Sequence, residues 1–268
     1  MCVHDTHRSV AFMTRPSVHE LLDLAGQTAV VTGASGNIGA AIARRLHEAG
    51  ANVALHASGS VDGIARATEL AADLGARAVV VSGDVERDAE SICHQIERSF
   101  GDLSILVNNA AIQPVKSLLE LEKAEVSEIL RINVGGAIAM TRQAARLMHA
   151  GGAIVNVASI EGLQPAVGHS HYSATKAALI MHTRSAANEL GPLGIRVNAV
   201  SPGLVHVDGL AGAWPEGVAR WLASCPLGRV GEATDVADAV LFLCSPAARW
   251  ITGANLIVDG GILTNNAW

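Results

Sequence analysis

The sequence predicts an α/β fold with a doubly wound, seven-stranded parallel sheet and helices on both faces. From Leu24 onward, short apolar or β-branched runs alternate with longer amphipathic segments, as in repeated strand and helix units. The length of 268 residues suits one such domain. Ligands bind beyond the carboxyl ends of the strands in these sheets, so the loops after the strands form the candidate site.

Seven short runs rich in Val, Ile, Leu and Ala are the predicted strands. In chain order they are Thr28–Val31, Asn52–His56, Ala78–Ser82, Ile105–Asn108, Ala153–Val157, Arg196–Val200 and Leu256–Val258. The segments between them are longer and amphipathic, which is typical of helices that cover a sheet. The predicted helices are Gly36–Ala49, Gly63–Leu74, Ala89–Phe100, Val126–Ala150, Tyr172–Leu190 and Thr234–Cys244.

The chain is predicted to have an N-terminal extension, residues 1–22, and one catalytic domain, residues 23–268. The extension contains arginines but no continuous apolar run, so we expect a flexible segment and not a signal peptide. No stretch reaches the roughly 18 apolar residues that a membrane-spanning helix needs. We therefore expect no membrane association.

Composition narrows the possible partners further. The formal net charge is -6 and there is no basic run, which argues against nucleic acid. The four cysteines are far apart and form no CxxC pair, so a reducing cytoplasm fits best. The eleven histidines show no metal-ligand spacing, and we expect no metal. A small-molecule substrate is the remaining expectation.

A glycine-rich turn follows the first predicted strand. It contains Gly33, Ser35, Asn37, Ile38 and Gly39, and it opens a helix. Small residues there let the backbone approach a pyrophosphate, and the helix N-terminus stabilises its negative charge. A purely structural tight turn is the alternative, because the glycine spacing differs from the GxGxxG pattern.

Tyr172 and Lys176 are the candidate proton-transfer pair. A separation of four residues places both on one helical face. The Lys176 ammonium is expected to lower the pKa of the Tyr172 phenol, which could then exchange a proton with an alcohol. Ser159, after the fifth strand, could hold the same substrate oxygen by a hydrogen bond. Each residue alone could equally be structural.

Several motifs occur together in this order, and their combination resembles the short-chain dehydrogenase/reductase family. They are the glycine turn, Asn108-Asn109-Ala110-Ala111, Ser159 thirteen residues before a YxxxK pair, and a Pro-Gly turn after the sixth strand. The resemblance runs from about Leu24 to the C-terminus. It implies a Rossmann-like fold and hydride transfer between NAD(P)(H) and a carbonyl or secondary alcohol, with Tyr172 as general acid and base.

The resemblance also implies further site residues. Asn133 matches a fourth catalytic residue that helps to hold a water linking Lys176 to solvent; the alternative is an asparagine bonded to its own helix. Tyr172 and Lys176 would also contact the cofactor. The remaining cofactor contacts carried over are Asp84, Val85, Asn109, Ala110, Pro202, Gly203 and Val205.

Three residues depart from the family pattern. Asn37 replaces a glycine, and its tolerance of left-handed backbone could preserve the turn. Ala111 replaces the glycine that commonly ends the asparagine motif. Val207 stands where many members have a threonine that bonds the nicotinamide carboxamide, which puts that contact in doubt.

The end of the second strand governs the choice between NAD and NADP. Ala57 occupies the position where an acid would bind the ribose 2′-hydroxyl and repel a 2′-phosphate. Ser58 and Ser60 could donate hydrogen bonds to a phosphate, and His56 could add charge if protonated. No Arg or Lys stands in the turn or the loop. The sequence favours NADP weakly.

The substrate is the least determined part of the prediction. Segment 204–229 is expected to vary with the ligand, and Trp214 and Trp221 could line the substrate or pack a helix. His169 and His171 could reach the substrate, although surface loop positions are the simpler interpretation. Two alternative functions are a cofactor-retaining epimerase or dehydratase and a non-catalytic, nucleotide-binding regulator.

The resemblance implies a homotetramer, with the helices Val126–Ala150 and Tyr172–Leu190 pairing between subunits. Many small and apolar residues on the second of these helices, among them Ala177 and Met181, exceed what one core-facing stripe requires. The C-terminal run that begins at Asn255 is expected to pack across a second two-fold interface. A monomer with both helices on its own sheet is the alternative.

Overall fold

The protein forms a seven-stranded, fully parallel sheet in a computed structural model that describes residues 16–149 and 151–265. The strand order is β3-β2-β1-β4-β5-β6-β7. The strands are β1 Thr28–Val31, β2 Asn52–Ala57, β3 Ala78–Ser82, β4 Ile105–Asn108, β5 Gly152–Val157, β6 Ile195–Pro202 and β7 Asn255–Val258. The order reverses between β1 and β4, which opens a crevice at their carboxyl ends.

The helices between the strands cover both faces of the sheet. They are α1 Asn37–Glu48, α2 Val61–Leu74, α3 Ala89–Phe100, α4 Lys123–Leu130, α5 Ala137–Leu147, α6 Ser170–Leu190, α7 Leu210–Ala213, α8 Pro215–Ser224 and α9 Ala233–Cys244. Neighbouring strand residues face opposite sides, because Ala29 and Val31 join one core while Val30 joins the other. Helices α1, α2 and α9 pack on the first face, and α3, α5 and α6 on the second.

All seven predicted strands are confirmed, with ends shifted by at most two residues. The predicted helix Val126–Ala150 is present as one helical run over residues 123–147, although it is not α-helical throughout. The structure has α4, a π-helical segment Arg131–Gly136, and α5. The side chain of Val85 packs against Gly136, where an added Cβ would lie 2.5 Å from Val85 Cγ2. A wider helical turn thus accommodates the loop after β3.

The variable segment contains two helices, α7 and α8, that the sequence pattern did not reveal. α8 begins with Pro215. Proline is favoured at the first helical position, because the N–H that it lacks would have no partner within the helix. Residues 1–15 of the predicted extension lie outside the described residues, and Val18–Glu20 forms a 3-10 turn. None of the described helices combines the length and apolar character required to cross a membrane.

Candidate active site

The glycine turn between β1 and α1 lies at the crevice and is held by the loop after β4. The Thr32 hydroxyl accepts hydrogen bonds from the amides of Asn109, at 2.9 Å, and Ala110, at 3.0 Å. The Asn109 amide group donates to the carbonyls of Thr32 and Gly33. Gly33 has φ +65°, and an added Cβ would lie 3.0 Å from the Ala110 Cα. The turn therefore requires glycine at this position.

Helix α1 starts at this turn with its first amides free of a side-chain cap. Gly39, in its first turn, packs so closely on the Gly33 carbonyl that no Cβ fits. Uncapped amides and the positive end of the helix dipole suit a diphosphate. Asn37 is the first helical residue, and every positive φ among the described residues belongs to glycine. The turn is therefore kept without left-handed backbone at Asn37.

Asn37 instead connects the glycine turn to the loop that follows β6. Its side-chain amide donates to the His206 carbonyl at 2.7 Å. Pro202 ends β6, and the Gly203 amide donates to the Val258 carbonyl. Val205 forms an isolated bridge with Gly231. This places Pro202, Gly203 and Val205 on a loop that is tied to the turn at α1.

His56 couples β2 to the same turn. Its Nδ1 accepts a hydrogen bond from the Gly33 amide at 3.2 Å, and its Nε2 lies 2.9 Å from the Gly83 carbonyl. The second contact needs a proton on Nε2 and the first needs a lone pair on Nδ1, so the ring is neutral. Burial lowers the pKa of His56 below its usual value. The hypothesis that His56 adds positive charge for a phosphate is wrong.

The end of β2 carries no acid, as the sequence showed. Ala57 is fully buried, whereas Ser58 is exposed. Ser60 caps α2 by accepting a hydrogen bond from the Gly63 amide. Arg66, on α2, donates from Nε to the Ser35 carbonyl at 3.1 Å. A guanidinium therefore lies beside the glycine turn, although no basic residue is near it in sequence.

Asp84 and Val85 follow β3 at the edge of the crevice. Both Asp84 carboxylate oxygens lie 2.8 Å from a guanidinium nitrogen of Arg131, and the amides of Glu86 and Arg87 donate to one of them. Burial raises the pKa of Asp84, but these hydrogen bonds outweigh it and lower the pKa overall. The carboxylate is thus held ionised in one orientation.

Ser159, Tyr172 and Lys176 come together at the carboxyl end of β5. The Ser159 hydroxyl lies close enough to the Tyr172 hydroxyl to favour its ionised form. Lys176 donates from Nζ to the Val157 carbonyl at 2.8 Å, and its Nζ lies 5.5 Å from the centre of the Tyr172 ring. All three side chains are at least nine-tenths buried. The predicted juxtaposition is present.

The electrostatics of Tyr172 differ from the sequence-based expectation. Burial and the negative charge of Glu161 raise the pKa of Tyr172 well above its usual range, and the nearby Ser159 hydroxyl offsets this only in part. Burial lowers the pKa of Lys176 to about 8, against an opposing effect of Glu161. The expected decrease in the pKa of Tyr172 is therefore wrong for the protein alone.

Asn133 lies in the π-helical segment and does not bond to its own helix. Its side chain exchanges two hydrogen bonds, each 2.9 Å, with the backbone of Ile112. It also donates to the Thr175 hydroxyl at 3.1 Å, and Thr175 in turn donates to the Tyr172 carbonyl. Asn133 thus holds helix α6 in place through Thr175, which lies between Tyr172 and Lys176.

The chain is similar to known proteins over most of its length. A family model described as Enoyl-(Acyl carrier protein) reductase matches residues 33–263. A short-chain type dehydrogenase/reductase from Mycobacterium marinum has a similar crystal structure, with TM-score 0.84 and 34% identity over 93% of this chain and 100% of that one. The chain belongs to the short-chain dehydrogenase/reductase family.

Two curated relatives carry specific names. L-rhamnose 1-dehydrogenase (NAD(P)(+)) from Azotobacter vinelandii is 39% identical over 90% of this chain and 98% of its own length. Cis-4-hydroxycyclohexanecarboxylate dehydrogenase from Sinomonas cyclohexanicum is 42% identical over 88% and 96%. This short-chain dehydrogenase/reductase is an NAD(P)(H)-dependent oxidoreductase, and the predicted family and Rossmann-like fold are confirmed.

Sequence reasoning missed Glu161 at the site of this oxidoreductase and left the roles of His169 and His171 open. Glu161 lies two residues after Ser159 and contacts His169 at 2.8 Å. His169 also stacks edge-on against Tyr172 with ring centres 6.0 Å apart, so it is not an ordinary surface residue. His171 is buried, and neither of its ring nitrogens has a hydrogen-bond partner within the described residues. The acid close to Ser159 was the available signal.

The two tryptophans of the variable segment separate clearly. Trp221 is 7% exposed, packs with Ile160 and Cys225, and donates from its indole N–H to the Arg229 carbonyl. It also lies under Gly203, where a Cβ would come within 2.7 Å of the ring. Trp214 is about half exposed. Trp221 is therefore a packing residue, whereas the ring of Trp214 lies against Gly217 at the start of α8.

Proposed function

We propose that the protein interconverts a secondary alcohol and its ketone, with Tyr172 as general acid and base. In the oxidative direction the alcohol carbon gives a hydride to the oxidised nicotinamide, and the alcohol oxygen gives its proton to Tyr172. The burial of Ser159, Tyr172 and Lys176 side by side at the carboxyl end of β5 carries this proposal. A substrate oxygen placed between the two hydroxyls can contact each of them.

The raised pKa of Tyr172 favours one protonation state. A phenol whose pKa is raised by burial and by Glu161 stays protonated at neutral pH, which suits donation to the alkoxide formed in ketone reduction. Alcohol oxidation requires the phenolate. Lys176 lies close enough to stabilise that phenolate, and a pKa of about 8 leaves Lys176 largely cationic at neutral pH.

The dinucleotide fits the residues at the crevice. The uncapped N-terminus of α1 and the crowded glycines Gly33 and Gly39 would receive the pyrophosphate. Asn109 and Ala110 would line the nucleotide, and Asp84 with Val85 would lie at the adenine end. When bound, NAD(P)(H) supplies or accepts the hydride. Asn133 acts through α6 and is therefore a positioning residue.

We further propose that NADP(H) is preferred over NAD(H). Arg66 supports this, because its guanidinium lies beside Ser35, and the hydroxyls of Ser35 and Ser60 both lie next to Gly63 in the first turn of α2. Arginine is well suited to bind a phosphate. Buried Ala57 supplies no acid to repel it.

The proposed substrate is a cyclic alcohol or ketone. The names of two relatives specify a sugar and a hydroxylated cyclohexane ring. We also propose a cytoplasmic homotetramer. Cys93, Cys225 and Cys244 are buried and unpaired, which suits a reducing compartment.

The proposal is tested by Tyr172→Phe, which keeps the ring and removes the transferable proton. We expect turnover of cyclic ketones and alcohols to fall about 100-fold or more, while NAD(P)(H) binding changes little. Nicotinamide absorbance measures turnover, and tryptophan fluorescence measures binding as the control. Activity within threefold of wild type would exclude Tyr172 as the acid. Turnover without release of reduced cofactor would indicate an epimerase or dehydratase instead.

A further inference from the structure

A group of polar side chains lies beside Tyr172 but neither gives nor accepts the proton in the proposed reaction. Glu161 is its centre, on the 3-10 turn Ile160–Gly162 directly after Ser159. Its carboxylate contacts His169 Nδ1 at 2.8 and 3.0 Å, Gln113 Nε2 at 3.2 Å and the Ser173 hydroxyl at 3.3 Å. We call Glu161, His169, Gln113 and Ser173 the Glu161 cluster.

The Glu161 cluster is assembled from three separate parts of the chain. Gln113 follows β4, Glu161 follows β5, and His169 and Ser173 lie at the start of α6. These are neighbouring strand ends of the sheet, on the side of the crevice where Tyr172 lies. The Glu161 carboxylate contacts His169 at 2.8 Å, and the His169 ring lies 6.0 Å from the Tyr172 ring. Its negative charge raises the pKa of both Tyr172 and Lys176.

A purely structural role explains this cluster poorly. The Glu161 side chain is only 12% exposed and the His169 side chain 16%. Placing a carboxylate there requires desolvation, which neutral side chains would avoid while holding the same turns together. Gly162 already closes the turn onto α6, since an added Cβ would lie 2.8 Å from the Lys176 backbone carbon. The loop is thus positioned without an ionisable group.

The cluster has hydrogen-bonding capacity left for a ligand. A carboxylate offers about four acceptor positions, and three donors engage Glu161. His169 uses Nδ1 toward Glu161, and its Nε2 makes no hydrogen bond within the described residues. The side-chain carbonyl of Gln113 is likewise available on an exposed residue. The remaining acceptor positions of the cluster can receive hydrogen bonds, and the second N–H of the Gln113 amide can donate one.

We infer that the Glu161 cluster is a substrate subsite that binds a hydroxyl group adjacent to the reacting carbon, so that the substrate is a neutral polyol. This inference rests on the proposed alcohol and ketone chemistry at Tyr172. A hydroxyl donates to Glu161 and accepts from the second N–H of the Gln113 amide, so it satisfies both kinds of partner. A carboxylate at that position cannot donate and is repelled by Glu161. A methylene leaves the cluster unpaired.

The inference separates the chemistries named in the two relatives. A sugar presents vicinal hydroxyls on an uncharged ring, which fits the Glu161 cluster. A 4-hydroxycyclohexanecarboxylate has methylenes on both sides of the reacting alcohol, so it leaves the cluster unpaired. Among cyclic substrates we therefore expect selection for neutral vicinal diols.

Three cyclohexane compounds that share one ring test the subsite. They are trans-cyclohexane-1,2-diol, cyclohexanol and 2-hydroxycyclohexanecarboxylate, each assayed as kcat/KM with the preferred cofactor. The comparison within one variant cancels any change in the reactivity of Tyr172. Glu161→Gln removes the charge, Gln113→Ala removes the exposed partner, and Glu189→Gln on the exposed side of α6 is the matched control.

We expect wild type to favour the diol over cyclohexanol by about tenfold or more, as for a hydrogen bond to a charged group. Glu161→Gln should reduce that ratio about tenfold and improve the relative use of the carboxylate. Gln113→Ala should reduce the ratio a few-fold, and Glu189→Gln should leave it unchanged. Unaltered NAD(P)(H) affinity in Glu161→Gln would show that the variant is folded.

A diol to cyclohexanol ratio in Glu161→Gln within twofold of wild type would overturn the subsite, provided that wild type oxidises both alcohols and loses this activity in Tyr172→Phe. In that case the proposed function stands alone. Wild type that binds the cofactor but oxidises no alcohol and reduces no ketone would instead overturn the proposed function, and the subsite with it.

Discussion

Single side chains set the chemistry of this site through charge and burial. Burial and the negative charge of Glu161 both raise the pKa of Tyr172 and so stabilise its protonated phenol. Lys176 lies on the same helical face, but its ammonium is engaged by the Val157 carbonyl. The resting protein is therefore prepared to donate a proton.

Arg66 provides a direct test of cofactor preference at the scale of one residue. We expect Arg66→Ala to lower kcat/KM for NADP about tenfold, because a phosphate loses a charge-assisted hydrogen bond, and to change kcat/KM for NAD less than threefold. Arg44→Ala is the matched control, since Arg44 is an exposed arginine paired with Asp73 at 3.0 Å. Initial rates with both cofactors supply the measurement.

Two results would contradict the role of Arg66. One is equal loss of activity with NADP and NAD, which would indicate a structural effect on the Ser35 turn. The other is a tenfold or greater preference of wild type for NAD. In that event the buried Ala57 would be merely permissive.

The proximity of the proposed catalytic residues could be predicted because their signals are local. Tyr172 and Lys176 are spaced by one helical turn, and Ser159 follows a strand, so sequence alone places them at one edge. Arg66 and Gln113 could not be found in this way. Their roles depend on contacts with Ser35 and Glu161, which are distant in sequence and meet only in the folded chain.

At the scale of elements, the π-helical segment between α4 and α5 is a local feature that the hydrophobic periodicity of the sequence does not predict. The apolar pattern of Val126–Ala150 suits a continuous helix, yet Arg131–Gly136 adopts π geometry. Asn133 in this segment bonds to the Ile112 backbone and to Thr175 on α6. Such tertiary bonds leave no periodic signature in the sequence, whereas the fully buried strands do.

The coupling of β2 to the glycine turn through His56 predicts a pH-dependent stability. The folded chain holds His56 neutral with its pKa lowered, whereas the unfolded chain binds a proton near the ordinary value of about 6.5. Stability must therefore decrease as the pH falls through that value, because the unfolded state binds more protons. The bond from the Gly33 amide to Nδ1 is lost upon protonation.

His56→Gln tests this coupling, because an amide does not titrate in this range. We expect the free energy of unfolding of the variant to be lower than that of wild type by about 1–3 kcal/mol near pH 8. This difference should shrink as the pH falls below about 6.5. Denaturant unfolding between about pH 5 and 8 measures it, with His94→Gln on the exposed face of α3 as control. A difference that stays constant with pH would disprove the coupling.

On the scale of the whole molecule, the strand order concentrates all proposed functions along one edge. The cofactor crevice lies where the order reverses between β1 and β4, and the Glu161 cluster lies beyond β4 and β5. Successive strand ends thus supply the nucleotide turn, the asparagine motif and the reacting residues. This arrangement follows from parallel strands with crossover helices, which the alternating sequence pattern predicts.

The exposed apolar surface of the helices bears on assembly. Ala174, Ala177 and Met181 form an exposed stripe along α6, and Ile138 on α5 is also exposed. At the sheet edge, Leu256 and Ile257 of β7 are partly exposed, while residues 266–268 of the tail lie outside the described residues. In the proposed tetramer, the helix face and the sheet edge would be the two separate isologous interfaces that two-fold axes require.

Light scattering of the wild type and of Met181→Glu tests this assembly. We expect wild type at micromolar concentration to have about four times the 27.6 kDa mass of one chain. A carboxylate at position 181, where the side chain is 60% exposed, should leave the fold intact but charge the apolar stripe, so the tetramer should separate into dimers held by the β7 side. Ala72→Glu on the exposed side of α2 is the control and should remain tetrameric. Wild type with the mass of one chain would refute oligomerisation, and a tetrameric Met181→Glu would show that the α6 stripe is not an interface.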